Sequence, residues 1–200
     1  MKKAIIIGAT SGLGKELAKL LAKNDYLVGI TGRRTELLNN IEAENPKLYR
    51  IKSFDITEID IIETKLNELT AELGGIDLLI LSSGIGNINT DLDFEIDKKT
   101  IETNVLGFTC VLDWAFNHFK KQQHGHLVVI SSIAGIRGNK NSTSYNATKA
   151  YQINYLEGLR QKAKQLKKDY LYVQADGTGV YVFNISKLNL DAIPKRFYNV

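Results

Sequence analysis

Near its N-terminus the chain reads Ala4-Ile5-Ile6-Ile7-Gly8-Ala9-Thr10-Ser11-Gly12-Leu13-Gly14. The apolar run predicts a buried β-strand. The three glycines predict a sharp turn, because a residue without Cβ lets the backbone bend and approach a ligand closely. A helix that follows the turn would aim its free N–H groups and its positive dipole end at a phosphate. We therefore expect a phosphate-binding strand–turn–helix unit, although a plain strand-to-helix turn can show the same glycine spacing.

Short apolar runs alternate with longer segments of helical period along the rest of the chain. Runs such as Leu78-Leu79-Ile80-Leu81 suit strands that are buried on both faces, as a parallel sheet requires. The alternation predicts an α/β fold with a doubly wound parallel sheet and helices on both faces, a Rossmann-like arrangement. The expected strands cover Ala4–Ile7, Leu27–Thr31, Leu48–Phe54, Leu78–Leu81 and His126–Ser131.

Length and composition predict a single domain. The 200 residues, of which 44% are hydrophobic, suffice for one sheet between two layers of helices. Residues 1–173 carry the alternating pattern and form the expected main part of this domain. We expect residues 174–200, an atypical C-terminal tail, to belong to the same domain or to be poorly ordered.

The net charge of +4 does not indicate a nucleic-acid-binding protein. Residues 160–200 contain eight lysines and arginines against three aspartates, a net charge of +5, so residues 1–159 carry −1. No basic stripe with interleaved aromatic residues accompanies this charge. We expect no nucleic-acid partner.

Cysteine usage and hydropathy predict a cytoplasmic protein. The only cysteine, Cys110, excludes an internal disulfide, and the apolar run near Met1 is too short for a signal peptide. No apolar stretch approaches the roughly 20 residues needed to cross a bilayer, so no membrane partner is expected. His124 and His126 lack a third ligand at a matching spacing, and we expect no metal site.

Two arginines follow the expected second strand, in Ile30-Thr31-Gly32-Arg33-Arg34, about twenty residues after the glycine turn. An acidic residue at this place would bind the ribose 2′-hydroxyl of NAD. A guanidinium instead suits the 2′-phosphate of NADP, through charge-assisted hydrogen bonds. Arg33 and Arg34 therefore predict NADP as the cofactor in preference to NAD, with two solvated arginines opening a helix as the alternative.

An acidic residue follows the expected third strand, in Phe54-Asp55-Ile56-Thr57. From this place the carboxylate of Asp55 could accept a hydrogen bond from an adenine amino group. A helix N-cap would give the same sequence pattern. Both interpretations stay open on the sequence.

A tyrosine, a lysine and a serine predict hydride-transfer chemistry. Tyr145 and Lys149 stand four residues apart, and Ser132 lies thirteen residues before the tyrosine. On a helix, a spacing of four puts both side chains on one face, where a lysine ammonium favours ionisation of a phenol whose ordinary pKa is near 10. The serine would hydrogen-bond the substrate oxygen from the carboxyl end of the fifth strand, and its neighbour Ser131 is the alternative.

These motifs together resemble those of the short-chain dehydrogenase/reductase family, over residues 1 to about 170. Gly8-x3-Gly12-x-Gly14 is similar to the cofactor fingerprint of the family, and Tyr145-Asn146-Ala147-Thr148-Lys149 is similar to its active-site Tyr-x3-Lys. Ser132 matches the serine of the family, and Asn104 in Thr103-Asn104-Val105-Leu106-Gly107 matches its asparagine.

The resemblance implies that residues 1–173 form a dinucleotide-binding and catalytic domain, with a role for each of these residues. Tyr145 would be the general acid/base, and Lys149 would lower the tyrosine pKa and bind the nicotinamide ribose. Ser132 would orient the substrate carbonyl, and Asn104 would anchor a proton-relay water. The predicted cofactor contacts are Gly8, Thr10, Ser11, Gly12, Leu13, Gly14, Arg33, Arg34, Asp55, Ile56, Ser83, Gly84, Tyr145 and Lys149.

Two departures from the family pattern leave two hypotheses for the function. Leu81-Ser82-Ser83-Gly84 stands where the family usually has Asn-Asn-Ala-Gly, and no Pro-Gly turn follows Tyr170-Leu171-Tyr172-Val173. The leading hypothesis is an NADP(H)-dependent oxidoreductase acting on a small-molecule carbonyl or secondary alcohol. The other is a nucleotide-binding protein without turnover, whose altered tail lacks a substrate pocket.

The segment from Asn104 to Phe119 is apolar nearly all round. One side can cover the sheet, and the other still needs cover, because a helix that is apolar on all sides is a buried one. A partner subunit or the next helix of the same chain can supply it. We predict a homo-oligomer, a dimer or tetramer, through helices over residues 104–119 and 145–166.

Overall fold

The computed structural model describes residues 1–165, 171–175 and 180–182, with side chains described over residues 1–163. Strands and helices alternate through this part of the chain. The strands are β1 (Lys2–Ile7), β2 (Tyr26–Gly32), β3 (Tyr49–Ser53), β4 (Leu78–Leu81), β5 (His126–Ile130), β6 (Leu171–Ala175) and β7 (Val180–Val182). The helices are α1 (Gly12–Lys23), α2 (Thr35–Glu44), α3 (Ile59–Leu73), α4 (Phe94–Ile101), a π-helix (Glu102–Gly107), α5 (Phe108–Gln122), a 3-10 helix (Ile133–Gly135) and α6 (Thr143–Gln165).

The described strands form one sheet in the order β3-β2-β1-β4-β5-β6-β7. Neighbouring strands are parallel from β3 to β6, and β7 pairs antiparallel with β6. The chain leaves β1 toward β2 and β3 on one side and returns to β4 on the other, so a crevice opens beyond the carboxyl ends of β1 and β4. The predicted α/β fold with a doubly wound parallel sheet is confirmed.

Each strand buries side chains on both faces of the sheet. Ile5 and Ile7 pack against α3, α5 and α6 on one face, and Ala4 and Ile6 pack against α1 and α2 on the other. The same alternation continues through β4, where all four residues are buried. This double burial is the physical reason why the strands are continuous apolar runs.

The fifth strand is one residue shorter than predicted and ends at Ile130. Ser131 and Ser132 leave the strand ladder, and Ser132 becomes the residue before the 3-10 helix. Its Oγ accepts a hydrogen bond of 3.1 Å from the N–H of Ala134. Ser132 therefore caps a turn beyond the strand and does not end the strand itself.

The predicted tail, residues 174–200, lies only partly within the described residues. Its described part ends β6 at Ala175 and forms β7, which extends the sheet by an antiparallel edge strand. Residues 176–179 and 183–200 lie outside the described residues. The segment in which the family has its Pro-Gly turn therefore lies partly outside the described residues.

One face of helix α5 is buried, and the opposite face is partly covered by other helices of the chain. Phe108, Val111, Leu112, Ala115 and Phe119 form the buried face. On the opposite side Trp114 donates a 2.9 Å hydrogen bond to Asn67 of α3, and Tyr155 of α6 donates one to Asp113. Helices α3 and α6 of the same chain thus cover part of the outer face of α5.

His124 and His126 do not share one environment. His124 is exposed and its Nε2 lies 3.6 Å from a carboxylate oxygen of Asp77, whereas His126 is buried. In the part of the chain that the structure describes, no group of three His, Cys, Asp or Glu side chains could hold a metal ion. No helix there is long and apolar enough to span a bilayer.

The buried His126 ring predicts a pH dependence of stability. The residue is 7% exposed, and its Nε2 has no hydrogen-bond partner among the described residues. Burial, with a smaller contribution from the charge of Lys2, lowers its pKa from 6.5 to about 4. The unfolded chain therefore takes up this proton at higher pH than the folded chain. The free energy of unfolding should fall as the pH drops from 6.5 to 4, by roughly 3 kcal/mol at most.

Chemical denaturation of the parent and of His126→Leu between pH 7 and pH 4, at about half-unit steps, measures this contribution. Other groups titrate in the same window, so the quantity to compare is the difference between the two proteins. The variant should gain stability relative to the parent as the pH falls. Parallel pH profiles would contradict the assignment to His126.

Candidate active site

The glycine turn after β1 packs directly against the segment after β4. Gly8 has a φ of +89°, and a Cβ there would lie 2.5 Å from Ser83 Oγ. A Cβ on Gly14 would lie 2.2 Å from the carbonyl oxygen of Gly8. No other residue fits these two positions without displacing backbone. The turn therefore brings the first residues of α1 down to the crevice between β1 and β4.

The N-terminus of α1 presents unpaired backbone donors to this crevice. The helix begins at Gly12, and the side chain of the preceding Ser11 makes no capping hydrogen bond to it. The N–H groups of the first helical turn have no partner within the helix, and the helix dipole is positive there. Such a combination is suited to an anion, a phosphate in particular.

The arginine pair after β2 is divided between two sides of the crevice. The Arg34 guanidinium donates to Thr10 Oγ1 and to Ser11 Oγ, both at 2.7 Å. Arg33 instead pairs with Asp55, at 3.2 Å between Nη1 and Oδ2. Among the described residues Arg34 has no carboxylate partner, so a cation beside two hydroxyl groups lies next to the glycine turn.

Asp55 is held ionised by its surroundings and does not cap α3. That helix begins at Ile59 with Glu58 before it, so the helix N-cap interpretation is not supported, and Oδ1 instead accepts a 3.0 Å hydrogen bond from the N–H of Thr57. Burial raises the pKa of Asp55, but the hydrogen bonds from Thr57 and the charge of Arg33 outweigh burial, and the pKa is lowered overall. The second carboxylate oxygen is oriented by Arg33.

The turn, the arginines and Asp55 line one cleft of about 320 Å³. A second cavity of about 540 Å³ shares Leu13, Ser82, Gly84, Ile85 and Ile130 with the first and extends it toward α6. Tyr145, Lys149, Ser131 and Ser132 line the second cavity. Of the predicted cofactor contacts, the first cavity is lined by Gly8, Thr10, Ser11, Gly12, Leu13, Arg33, Arg34, Asp55, Ile56, Ser83 and Gly84.

Tyr145 and Lys149 lie one turn apart on α6, as their spacing predicts. Lys149 Nζ is 5.7 Å from the centroid of the Tyr145 ring. The ring also packs against Gly86, where a Cβ would come within 2.6 Å of it. Helix α6 and the loop after β4 thus hold the phenol at the wall of the cavity.

The Lys149 ammonium is buried among neutral groups. The residue is 4% exposed, and burial lowers its pKa from 10.5 to about 8. Nζ donates to Gln152 Oε1 at 3.0 Å and to the carbonyl oxygen of Ile130 at 3.5 Å. With a pKa near 8, the amine is mostly protonated at neutral pH.

Both serines after β5 line the second cavity. Ser132 Oγ accepts from the Ala134 N–H, which leaves its own hydrogen free to donate toward the cavity. Ser131 is 5% exposed, and its Oγ has no hydrogen-bond partner among the described residues. The geometry therefore keeps Ser132 as the predicted substrate contact, with Ser131 as the neighbouring alternative.

Asn104 lies beneath the cavity and does not line it. Its fully buried side chain accepts a 2.9 Å hydrogen bond from the Ile85 N–H and donates to the Ile85 carbonyl oxygen at 2.7 Å and to Thr148 Oγ1 at 3.1 Å. The residue belongs to the π-helix, a conformation found often at functional sites. Asn104 thus ties the loop after β4 to α6.

Two buried polar residues of the site were not among the predicted site residues. Gln152 links Lys149 to the main chain of Asn104. Asn146 donates to the carbonyl oxygens of Ala134 and Arg137 and holds the loop before α6. Gln152 could have been noticed, because it stands three residues after Lys149 and therefore on the same helix face. Nothing local to Asn146 indicates its partners.

Comparison with known proteins identifies the family. The chain matches the model of the short chain dehydrogenase family over residues 2–180, and it belongs to this family. An uncharacterised oxidoreductase of Myxococcus xanthus is 32% identical over 186 residues, which are 90% of this chain and 69% of the relative. One of Staphylococcus aureus is 30% identical over 201 residues, covering 99% of this chain and 82% of the relative.

A solved structure supports the same assignment. The structure described as ElxO with NADP bound has a TM-score of 0.75 at 29% identity, covering 82% of this chain and 69% of that one. The family and the Rossmann-like fold predicted from the motifs are therefore confirmed.

Proposed function

We propose that the protein is an NADP(H)-dependent oxidoreductase that reduces a carbonyl group of a small molecule, or oxidises the corresponding secondary alcohol. One observation carries the proposal: a continuous cleft runs from the glycine turn to Tyr145 and the buried Lys149. Membership of the short-chain dehydrogenase family supports the same class of reaction. The single cysteine supports a cytoplasmic location as part of this proposal.

The residues of the cleft suit a dinucleotide. The absence of Cβ atoms at Gly8 and Gly14 and the free donors at the start of α1 suit a pyrophosphate. The ionised carboxylate of Asp55 suits the adenine amino group. Ser83 lines the first cavity, and Gly84 lines both cavities, at the junction toward α6. When bound, the cofactor supplies the hydride for reduction or accepts it in oxidation.

Arg34 supports NADP as the preferred cofactor. Its guanidinium and the hydroxyls of Thr10 and Ser11 form a cluster of donors that suits a 2′-phosphate. Arg33 is partly neutralised by Asp55 and contributes less to this cluster. We therefore assign the larger share of the preference to Arg34.

Proton transfer is assigned to Tyr145. In reduction, the carbonyl carbon receives the hydride and the carbonyl oxygen takes the phenolic proton of Tyr145, which gives the alcohol and a phenolate. The Lys149 ammonium stabilises that phenolate, and the Ser132 hydroxyl donates a hydrogen bond to the substrate oxygen. Solvent returns the proton to Tyr145. A relay water at Asn104 would bind the second lone pair of the main-chain carbonyl oxygen, because Gln152 Nε2 already donates to the first.

Replacing Tyr145 with phenylalanine tests the assignment of the proton donor. In Tyr145→Phe, kcat for carbonyl reduction should fall by roughly 10²- to 10⁴-fold, because the developing oxyanion loses its proton donor. The Kd for NADPH, measured by fluorescence titration, should stay close to that of the parent. Tyr26→Phe is the matched control, since it removes the same hydroxyl at the first residue of β2, at the opposite end of the sheet.

Two results would count against this account. A Tyr145→Phe variant that reduces ketones as fast as the parent would remove the assigned mechanism. A parent protein that binds NADPH but oxidises none of it across a broad carbonyl panel would favour the alternative, a nucleotide-binding protein without turnover.

Removing the Arg34 guanidinium should weaken NADPH binding selectively. In Arg34→Ala the Kd for NADPH should rise roughly tenfold to hundredfold, the equivalent of about 1.5–3 kcal/mol for charge-assisted hydrogen bonds. The Kd for NADH should change little, and Arg33→Ala should have the smaller effect on NADPH. Equal losses for both cofactors in Arg34→Ala would contradict the assignment.

We also propose a homo-oligomer through the outer face of α5 and the neighbouring surface of α6. A depression of about 740 Å³ there is lined by a mixture of apolar and polar side chains, with Ile59, Leu106, Trp114 and Tyr151 among the apolar and aromatic ones. Leu106 is 52% exposed and Ile59 46%, and a second copy of the same surface would cover both. Light scattering should give a dimer or tetramer that dissociates in Leu106→Glu. A parent protein that is monomeric at all concentrations would contradict the proposal.

A further inference from the structure

A buried glutamine connects the active-site lysine to the main chain of the π-helix. Gln152 stands three residues after Lys149 on α6 and is 1% exposed. Its Oε1 accepts a hydrogen bond from Lys149 Nζ at 3.0 Å. Its Nε2 donates to the main-chain carbonyl oxygen of Asn104, also at 3.0 Å. Both ends of the amide are therefore engaged in the interior.

The orientation of this amide follows from the chemistry of its partners. An ammonium group only donates hydrogen bonds, so it must face the amide oxygen. A carbonyl oxygen only accepts, so it must face the amide nitrogen. A flipped amide would place donor against donor at Lys149 and acceptor against acceptor at Asn104. The link therefore has one stable arrangement.

The hydrogen bond to Gln152 is the shortest that the Lys149 ammonium makes among the described residues. From β5 comes the carbonyl oxygen of Ile130, at 3.5 Å, and from its own helix the Tyr145 ring. From the loop after β4 comes Gly84, which carries no charge. Tyr145 is the titratable group facing Nζ, and no carboxylate pairs with it among the described residues. A buried cation without a carboxylate depends on neutral acceptors to stay charged.

We propose that Gln152 is a positioning residue that keeps the Lys149 ammonium charged and fixed beside Tyr145 by tying it to the main chain of Asn104. This inference rests on the proposed function, because it assigns Lys149 the task of stabilising the phenolate. A carboxamide accepts a hydrogen bond from an ammonium but does not pass the proton on, as a water molecule would. Gln152 therefore holds the charge in place and does not conduct protons.

Two substitutions of similar size change the link in opposite senses. Gln152→Leu removes the acceptor from Lys149, so the pKa of the lysine should fall by about one unit below its value near 8. Gln152→Glu adds a carboxylate, so the pKa of Lys149 should rise by about one unit or more. Carbon-13 NMR of labelled lysine side chains measures both shifts in the protein without cofactor. The Lys149 resonance is identified by its loss in Lys149→Met.

The pH profile of turnover gives a second reading of the same link. The alkaline limb of kcat for carbonyl reduction should report the loss of the proton from Lys149, whose pKa lies near 8. It should move to lower pH in Gln152→Leu and to higher pH in Gln152→Glu. Gln161→Leu is the matched control, because this exposed glutamine lies on the same helix and bonds to Glu157. It should leave both the NMR titration and the pH profile unchanged.

Opposite shifts in the two variants support the positioning role, since a purely structural loss would not move the titration in two directions. The same Lys149 titration in the parent and in both variants, with melting temperatures showing that they fold, overturns it. If only Gln152→Glu folds, a raised pKa of Lys149 in that variant supports the positioning role, and an unchanged pKa overturns it. Opposite NMR shifts in a protein that oxidises no NADPH would uphold the link and reject the proposed function.

Discussion

The burial of one positive charge, the ammonium of Lys149, is the constraint on which the site depends. Burial lowers the lysine pKa to about 8 but leaves the group mostly protonated at neutral pH. The charge is tolerated because Gln152 and the carbonyl oxygen of Ile130 accept its hydrogen bonds. A cation that is held this way has a fixed place, 5.7 Å from the centroid of the Tyr145 ring.

The fold makes this arrangement possible by bringing distant segments to one edge of the sheet. The crevice lies beyond the carboxyl ends of the paired strands β1 and β4, where the strand order reverses, and the segment after β5 lines it. Asn104 joins the loop after β4 to α6 through hydrogen bonds to Ile85 and Thr148, so the two walls of the cavity are directly connected. The glycine turn closes the other end because no Cβ keeps Gly14 away from Gly8. The glycine turn and Tyr145 thus belong to one set of directly contacting segments.

The sequence predicts those features that local patterns encode. Apolar runs predict the first five strands because both faces of the sheet are buried, and a spacing of four predicts that Tyr145 and Lys149 share a helix face. Contacts between segments far apart in the sequence leave no such local pattern. The bonds of Arg34 to Thr10 and Ser11 are of this kind, and so is the bond of Gln152 to Asn104. Asp55 illustrates the same limit. The sequence allowed it to cap a helix, and only the structure shows that its carboxylate bonds to the N–H of Thr57 and does not cap α3.

The central claim is that one cleft carries a dinucleotide from the glycine turn to the phenol of Tyr145. A crystal structure of the protein with NADP and a substrate analogue tests it most directly. The account predicts the pyrophosphate at the start of α1, the 2′-phosphate at Arg34, and the carbonyl oxygen of the analogue about 3 Å from the Tyr145 hydroxyl. A nicotinamide ring outside the cavity that Tyr145 and Lys149 line would contradict the account.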